Sequence, residues 1–378
     1  MRGQAVRLFA AYMTEPVLPV PPSLPAAPRP RRAGLAVAAG LLLGLLASGA
    51  GLAWHFLYRA NVPAAVEGPA YLYIRRGVGL NAVLDSLRRP GQLARPQDFA
   101  RVARWRGFGT PAHPVQPGRY TLPAGLGNLA LLRLLESGRQ DTLAFTLKPF
   151  HYLPQLPRQA GRQLSTDTLQ LHKLLTDNAY LMRRYGLDTA TVRTLFIPGT
   201  LRLFWPTPAA AFLDSVAARH RHFWNQRRLA EADSLKMSPV QVTVLASIVQ
   251  RETAQPTDKP LIAGVYLNRL RRSQPLQADP TLLWPLHGLG TRKRVLNVDK
   301  KVDSPYNTYR HKGLPPGPIT TPFPQALDAV LRPAHHNFVF FCARPDGSGF
   351  SDFSETFAQH KAFARRFQHH LDSLKIKR

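Results

Sequence analysis

The chain has almost no cysteine. Cys342 is the only one in 378 residues, so no internal disulfide can form and packing alone must hold the fold in an oxidising space. It is also poor in acid: Asp and Glu number 22 against 50 Lys and Arg, a formal net charge of +28 and a calculated pI near 11.2. Such a balance raises nucleic acid as a partner. The positive charge is spread along the whole chain, however, it is mostly arginine, and no DNA- or RNA-binding signature accompanies it. The excess suits an anionic cell envelope instead, and no nucleic-acid partner is expected. No HExxH spacing occurs and His335-His336 is an isolated pair, so neither a metal site nor a cofactor is expected.

Long apolar runs are equally scarce, which makes the one present informative. Ala33 to Trp54 carries no charge over about 22 residues, enough to span a bilayer. It is longer than the apolar region of a signal peptide, and it ends in Trp54, His55, Phe56 and Tyr58, side chains suited to the membrane–water boundary. Arg29, Arg31 and Arg32 flank its N-terminal side, against Arg59 on the other. The positive-inside rule then places the N-terminus in the cytoplasm and everything after about residue 55 outside. The expectation is a single-pass protein of the cell (inner) membrane, with residues 33–54 as the span and an extracytoplasmic, periplasmic body. Residues 1–32, rich in Pro and Arg, read as a disordered cytoplasmic tail.

Beyond the span the pattern is mixed. Ala70 to Ile74 alternates like a strand, and Leu80 to Leu87 reads as a helix with Leu80, Val83, Leu84 and Leu87 on one face. A similar unit recurs as a strand over Gly118–Leu122 and a helix over Asn128–Leu135, with a further strand over Gln140–Leu147. Residues 169–187 are helical in period, Leu195 to Thr200 reads as a loop, and Ala209 to Leu235 reads as one long amphipathic helix. Ser238-Pro239 is a helix start, and Thr257-Asp258-Lys259-Pro260 opens another helix through Leu270. Residues 273–325 show little regular pattern and much Pro and Gly, yet are too aromatic and apolar for disorder; such a loop is usually functional. Phe338 to Cys342 reads as a buried strand, Asp346 to Gly349 as a hairpin turn, Phe350 to Phe353 as the return strand, and a basic helix follows from about Thr356. The fold class is α+β.

Glu252 stands out. In a helix starting at Ser238-Pro239, Val244, Ile248 and Glu252 lie at i, i+4 and i+8, and Leu245, Val249 and Glu252 at i, i+4 and i+7. Both series put the carboxylate on the apolar face, while Gln250 and Arg251 are expected to turn elsewhere. Burial raises a carboxyl pKa and makes a proton donor near neutral pH, which glycosidic bond cleavage needs. In the next helix Leu261, Val265 and Asn268 share a face, and a buried amide there either braces a loop or touches a ligand.

Six segments occur in fixed order: LASIVQRETA around Glu252, AGVYLNRL (263–270), LQADPT (276–281), SPYNTY (304–309), GLPPGPI (313–319) and FSDFSETFAQHKAF (350–363). Together they resemble the MltG, or YceG-like, family of membrane-anchored endolytic murein transglycosylases, over roughly residues 65–370. The resemblance implies a YceG-like catalytic domain over 146–378, and the strand–turn–helix units suggest a small LysM-like membrane-proximal module over 62–145. It implies cleavage of the MurNAc-β-1,4-GlcNAc bond within nascent peptidoglycan glycan strands without water: the C6 hydroxyl attacks C1, leaves a 1,6-anhydro end and terminates strand elongation. Peptidoglycan synthases are candidate protein partners. The glutamate of the family's ASIV-x-x-E motif matches Glu252. One carboxyl suffices for such a step, acting first as acid and then as base. Of the six glutamates (Glu15, Glu67, Glu136, Glu231, Glu252 and Glu355), Glu252 is the candidate. The family often carries Glu where Gln250 stands, and the TLFIPGT segment matches the family's acidic version only loosely. Asn268, Gln277, Asp279, Thr281, Tyr306, Asn307 and Tyr309 are the candidate sugar contacts, and the Gly313–Gly317 run a rigid wall. Two other readings stay open: a hydrolase using Glu252 with Asp279, and a noncatalytic membrane-anchored cell-wall-binding protein.

Overall fold

The computed structural model describes residues 32–64, 68–283, 295 and 297–373. The expected tail over 1–32 therefore lies almost wholly outside the described residues, as does 284–294 of the long loop. Residues up to His55 form one unit and those from Phe56 onward another.

The first unit contains helix α1 (Arg32–Leu57), which runs two residues into the second. Its stretch Gly34–Leu57 has a mean hydropathy of 2.1, and its large apolar side chains from Leu35 to Trp54 are exposed. At 1.5 Å per residue, 24 residues extend about 36 Å, long enough for the hydrocarbon core of a bilayer. Among the described residues it is the one helix long and apolar enough to cross a membrane.

The second unit holds three apolar cores. The first is built by strand β1 (Ala70–Ile74), helices α2 (Leu80–Leu87) and α3 (Pro96–Trp105), strand β2 (Gly118–Leu122) and helix α4 (Asn128–Ser137). β1 and β2 pair antiparallel, with Leu72 opposite Tyr120. Strand alternation sends Leu72 and Ile74 inward and leaves Tyr73 exposed. α3 was not expected from the sequence. Phe99, Val102 and Ala103 face the core while Arg101 and Arg104 face solvent, so its apolar stripe is short and its arginines mask it. The two expected strand–helix units are thus one sheet with helices on it.

Strand β3 (Thr142–Leu147) belongs to the second core, pairing antiparallel with strand β4 (Gly199–Phe204). A module boundary at 145 therefore cuts through β3, and β4 begins inside the stretch expected to be loop. Around this sheet lie α5 (Gln155–Gln163), α6 (Thr168–Thr176), α7 (Asn178–Tyr185) and α8 (Ala209–Phe223), with Phe145 edge-on to Phe212 at 5.3 Å. Two expected long helices are broken. Asp177 ends α6 and caps α7 by accepting from the Tyr180 N–H at 2.9 Å. Asn225 separates α8 from α9 (Gln226–Ser234) and accepts from the Arg228 N–H at 3.1 Å. In both cases a side-chain acceptor satisfies a helix N-terminus inside a run whose apolar period continues.

The third core carries the site. α10 (Pro239–Glu252) opens with a full capping box: the Gln241 N–H donates to Ser238 Oγ at 3.2 Å and the Ser238 N–H to Gln241 Oε1 at 2.8 Å. α11 (Asp258–Arg271), the short α12 (Asp279–Leu283) and α13 (Pro324–Leu331) pack with it around Leu245, Ile248, Val249, Ile262, Tyr266 and Val330. Gly264 lets α11 lie directly on the segment after α13, since a Cβ there would sit 2.7 Å from the Ala334 carbonyl oxygen. The chain ends in the antiparallel hairpin β5 (Phe340–Ala343) and β6 (Ser351–Ser354), followed by α14 (Phe357–Ser373). β5 is half-buried rather than the buried strand its composition suggests.

Candidate active site

Glu252 closes the last turn of α10, and Thr253 after it is already extended. The preceding residues Val242 to Val249 are all buried, so the helix delivers this carboxyl at the end of an apolar stripe. The next helix returns alongside, and Tyr266 of α11 donates its hydroxyl proton to Glu252 Oε1 at 2.6 Å. The Tyr266 ring is itself fixed, being 1% exposed and edge-on to Phe341 of β5 at 5.9 Å.

Arg269, less than one turn further along α11, ties the surroundings together. Its Nε donates to the Val339 carbonyl at 2.6 Å, and its Nη1 to the carbonyls of Pro275 and Leu276, both at 3.0 Å, and to Gln277 Oε1 at 3.1 Å. Its guanidinium lies 5.1 Å from the Phe340 ring centre. One buried cation thus fastens the C-terminal hairpin to the start of the long loop. That loop brings Asp279, whose carboxylate accepts from the Tyr309 hydroxyl, while the Lys300 ammonium lies 5.1 Å from the Tyr309 ring centre.

The electrostatics follow from this packing. Burial is the largest influence on Glu252 and drives its pKa from 4.5 to about 7. The Tyr266 hydrogen bond and the Arg251 charge pull it down, and the Asp279 charge pushes it up. Burial likewise raises the Tyr266 and Tyr309 hydroxyls, reinforced by the carboxylates beside them, so both remain neutral donors. Glu252 therefore keeps its proton to a much higher pH than an ordinary carboxyl. Beside it opens a cleft of about 580 Å³, lined by Gln250, Arg251, Glu252, Thr253, Lys259 and Phe323 among others. Gln250 and Arg251 were expected to face away from Glu252. They share its cleft because the helix stops there and the cavity curls over its last turn. His151 lies within the field of Arg251, and burial followed by that charge lowers its pKa; its carbonyl accepts from buried Arg193 at 2.8 Å.

Asp279 and Tyr309, expected from the sequence, meet near Glu252. Gln277 is exposed in a left-handed conformation (φ 53°), with its side chain held by Arg269. The other four candidates face inward. Asn268 donates to the carbonyls of His336 at 2.8 Å and Phe338 at 2.9 Å, bracing the approach to β5 rather than Glu252. Thr281, fully buried, donates to the Ala278 carbonyl at 2.6 Å and pairs with Thr308 Oγ1 at 2.9 Å. Asn307, also fully buried, donates to the carbonyls of Lys300 at 3.0 Å and Val302 at 2.8 Å and accepts from the Tyr309 N–H at 3.0 Å. Tyr306 packs in the third core, its hydroxyl accepting from Arg193. These four side chains bond the protein's own chain, as burial favours: Thr281, Tyr306 and Asn307 shape the loop that carries Asp279, and Asn268 braces the approach to β5. Sequence reasoning missed Tyr266 and Arg269. The signal was there, since Ile262, Tyr266 and Arg269 form an i, i+4, i+7 stripe on α11 next to the one containing Asn268.

Residues 72–366 match the YceG-like family, and the chain belongs to it. An endolytic murein transglycosylase of Bacillus subtilis (strain 168) is 25% identical over 331 residues, covering 82% of this chain and 89% of the relative. One from Streptococcus pneumoniae serotype 2 (strain D39 / NCTC 7466) is 23% identical over 338 residues, which are 80% of this chain and 60% of that longer protein. Among solved structures, a yceG-like protein from Listeria monocytogenes superposes with a TM-score of 0.50 at 22% identity, covering 78% of this chain and 99% of that one. The whole constellation from His151 to Phe341 lies within the family match.

Proposed function

We propose that this chain is an endolytic murein transglycosylase, anchored by α1 with its N-terminus in the cytoplasm, that cuts peptidoglycan glycan strands outside the membrane. The observation that carries the reading is a single carboxyl at the edge of a cleft, buried enough to hold a proton near pH 7 and oriented by Tyr266. The family membership and the names of the relatives support the reaction class.

Protonated Glu252 gives its proton to the glycosidic oxygen as the bond from C1 of the muramic residue breaks. The C6 hydroxyl of the same residue then attacks C1, and Glu252, now a carboxylate, takes the hydroxyl proton. The products are a 1,6-anhydro end and a free 4-hydroxyl; no water is consumed and the carboxyl returns to its starting state. Asp279, held by Tyr309, supplies negative charge as C1 becomes cationic and keeps the proton affinity of Glu252 high. Arg251 and Lys259 make the cleft cationic, which suits a peptide-bearing, carboxylate-rich strand. Cleavage inside nascent strands would set where their elongation stops, and peptidoglycan synthases are the partners such a role calls for.

The proximity of Asp279 favours one competitor, a two-carboxylate hydrolase. Mass spectrometry of released muropeptides separates them, because an anhydro end is lighter than a reducing end by one water. In the same assay Glu252→Gln should abolish cleavage while the chain still folds and binds sacculi. Cleavage retained by that variant would refute the role given to Glu252, and a wild-type chain that binds without cutting would make the protein a wall anchor.

A further inference from the structure

The N-terminal module carries a groove that this chemistry leaves unused. It measures about 450 Å³, and one wall is the unbroken run from Tyr71 to Arg75. Alternate residues of a strand face opposite sides of its sheet. A wall made of consecutive residues is therefore the strand's edge, not either face. β1 has a ladder partner on one side only, β2, and among the described residues no further main-chain hydrogen bond reaches it. The opposite wall is α2, through Val83 and Ser86, with Arg89 and Gln92 beyond it and Trp205 at the boundary of the second core.

Three observations indicate what the groove would hold. An unpaired edge presents N–H and C=O groups in alternation, at the repeat that an extended peptide matches residue by residue. The side-chain oxygen of Gln92 is shut off from solvent yet accepts no hydrogen bond, a cost that an incoming donor would remove. Arg75 and Arg89 are exposed and make no ion pair with a described residue; the neighbouring acid, Asp85, is taken by Arg88 at 2.8 Å. The tyrosines do not offer a free sugar platform. The Arg119 guanidinium lies 4.7 Å from the Tyr71 ring centre, and Tyr73 meets Trp205 edge-on at 5.0 Å.

We propose that this groove receives an extended acidic segment of a partner protein as an added strand on the free edge of β1, its carboxylates paired with Arg75 and Arg89. The cationic excess of the chain beyond α1 favours such a ligand at long range. The surface is separate from Glu252, and the inference does not depend on the reaction assigned there.

The test is binding of fluorescein-labelled octapeptides, alternating Val and Thr and ending in two or three aspartates, to the full chain in neutral detergent, read by fluorescence polarisation. Saturable binding is expected, weakened about tenfold by Arg75→Glu or Arg89→Glu and weakened further by salt, with strand cleavage unchanged in both variants. N-methylation of alternate peptide amides, which leaves the protein untouched, should abolish it. Equal binding of the N-methylated peptide, or no saturation up to about 1 mM, overturns the proposal. So does preferential uptake of labelled chitohexaose at the same arginines, which would make the groove a polysaccharide site.

Discussion

Replacing Glu252 by Gln removes an ionisation that the fold opposes, and the gain can be computed. The carboxyl rises from 4.5 to about 7 on folding. Between those values the folded chain holds a proton that the unfolded chain has released. Stability is therefore full below pH 4.5, falls as pH rises from 4.5 to 7, and is level above that. At about 1.36 kcal/mol per unit the shift corresponds to about 3 kcal/mol, and the partial exposure of Glu252 reduces this to about 2. Gln keeps the shape and can still accept from Tyr266, but it never ionises. The variant should match wild type near pH 4.5 and exceed it above pH 8 by about 2 kcal/mol, or roughly 4 °C in Tm for a body of this size. Thermal unfolding of residues 56–378 followed by circular dichroism across that range is the assay. A gap that does not change with pH, or a variant less stable than wild type at high pH, would mean that Glu252 is not proton-bound by burial.

The neighbours of Glu252 should move its pH–rate profile in opposite directions. Tyr266→Phe removes the hydrogen bond that favours the carboxylate, so the alkaline limb of kcat should shift upward in pH as the maximum rate falls. Asp279→Asn removes a negative charge, so the limb should shift downward; limbs moving the same way in both variants would contradict this account. Gly264→Ala places a methyl 2.7 Å from the Ala334 carbonyl oxygen and should cost about 1–3 kcal/mol in urea unfolding; a neutral result would show that α11 is free to move away from that segment.

Much of the fold was legible where the signal is local. Ser238-Pro239 announces α10, the uncharged run announces α1, and Asp346 to Gly349 announces the hairpin, because each rests on residues adjacent in sequence. The position of Glu252 on the apolar stripe followed from period alone. What could not be read depends on distant partners. β3 has no local sign that it pairs with β4 rather than completing the preceding module. Asp177 and Asn225 break helices whose apolar spacing continues across the break, so period alone misses them. The site shows the same limit. A motif residue with a polar side chain can face a ligand or its own backbone, and Asn268, Thr281 and Asn307 take the second course, through bonds that only the folded loop creates. Tyr266 lies within the AGVYLNRL segment, but its bond to Glu252 is a meeting of two helices.

The hairpin has a temporal consequence. Glu252 and Tyr266 leave the ribosome well before Val339 and Phe341, yet those two hold Arg269 and the Tyr266 ring in place. A nascent chain that already contains Glu252 therefore lacks the contacts that fix the Tyr266 ring beside it. The setting of the Glu252–Tyr266 pair is therefore complete only once the last-made strands have folded, and on the reaction proposed above a chain clipped before residue 338 should lose strand cleavage.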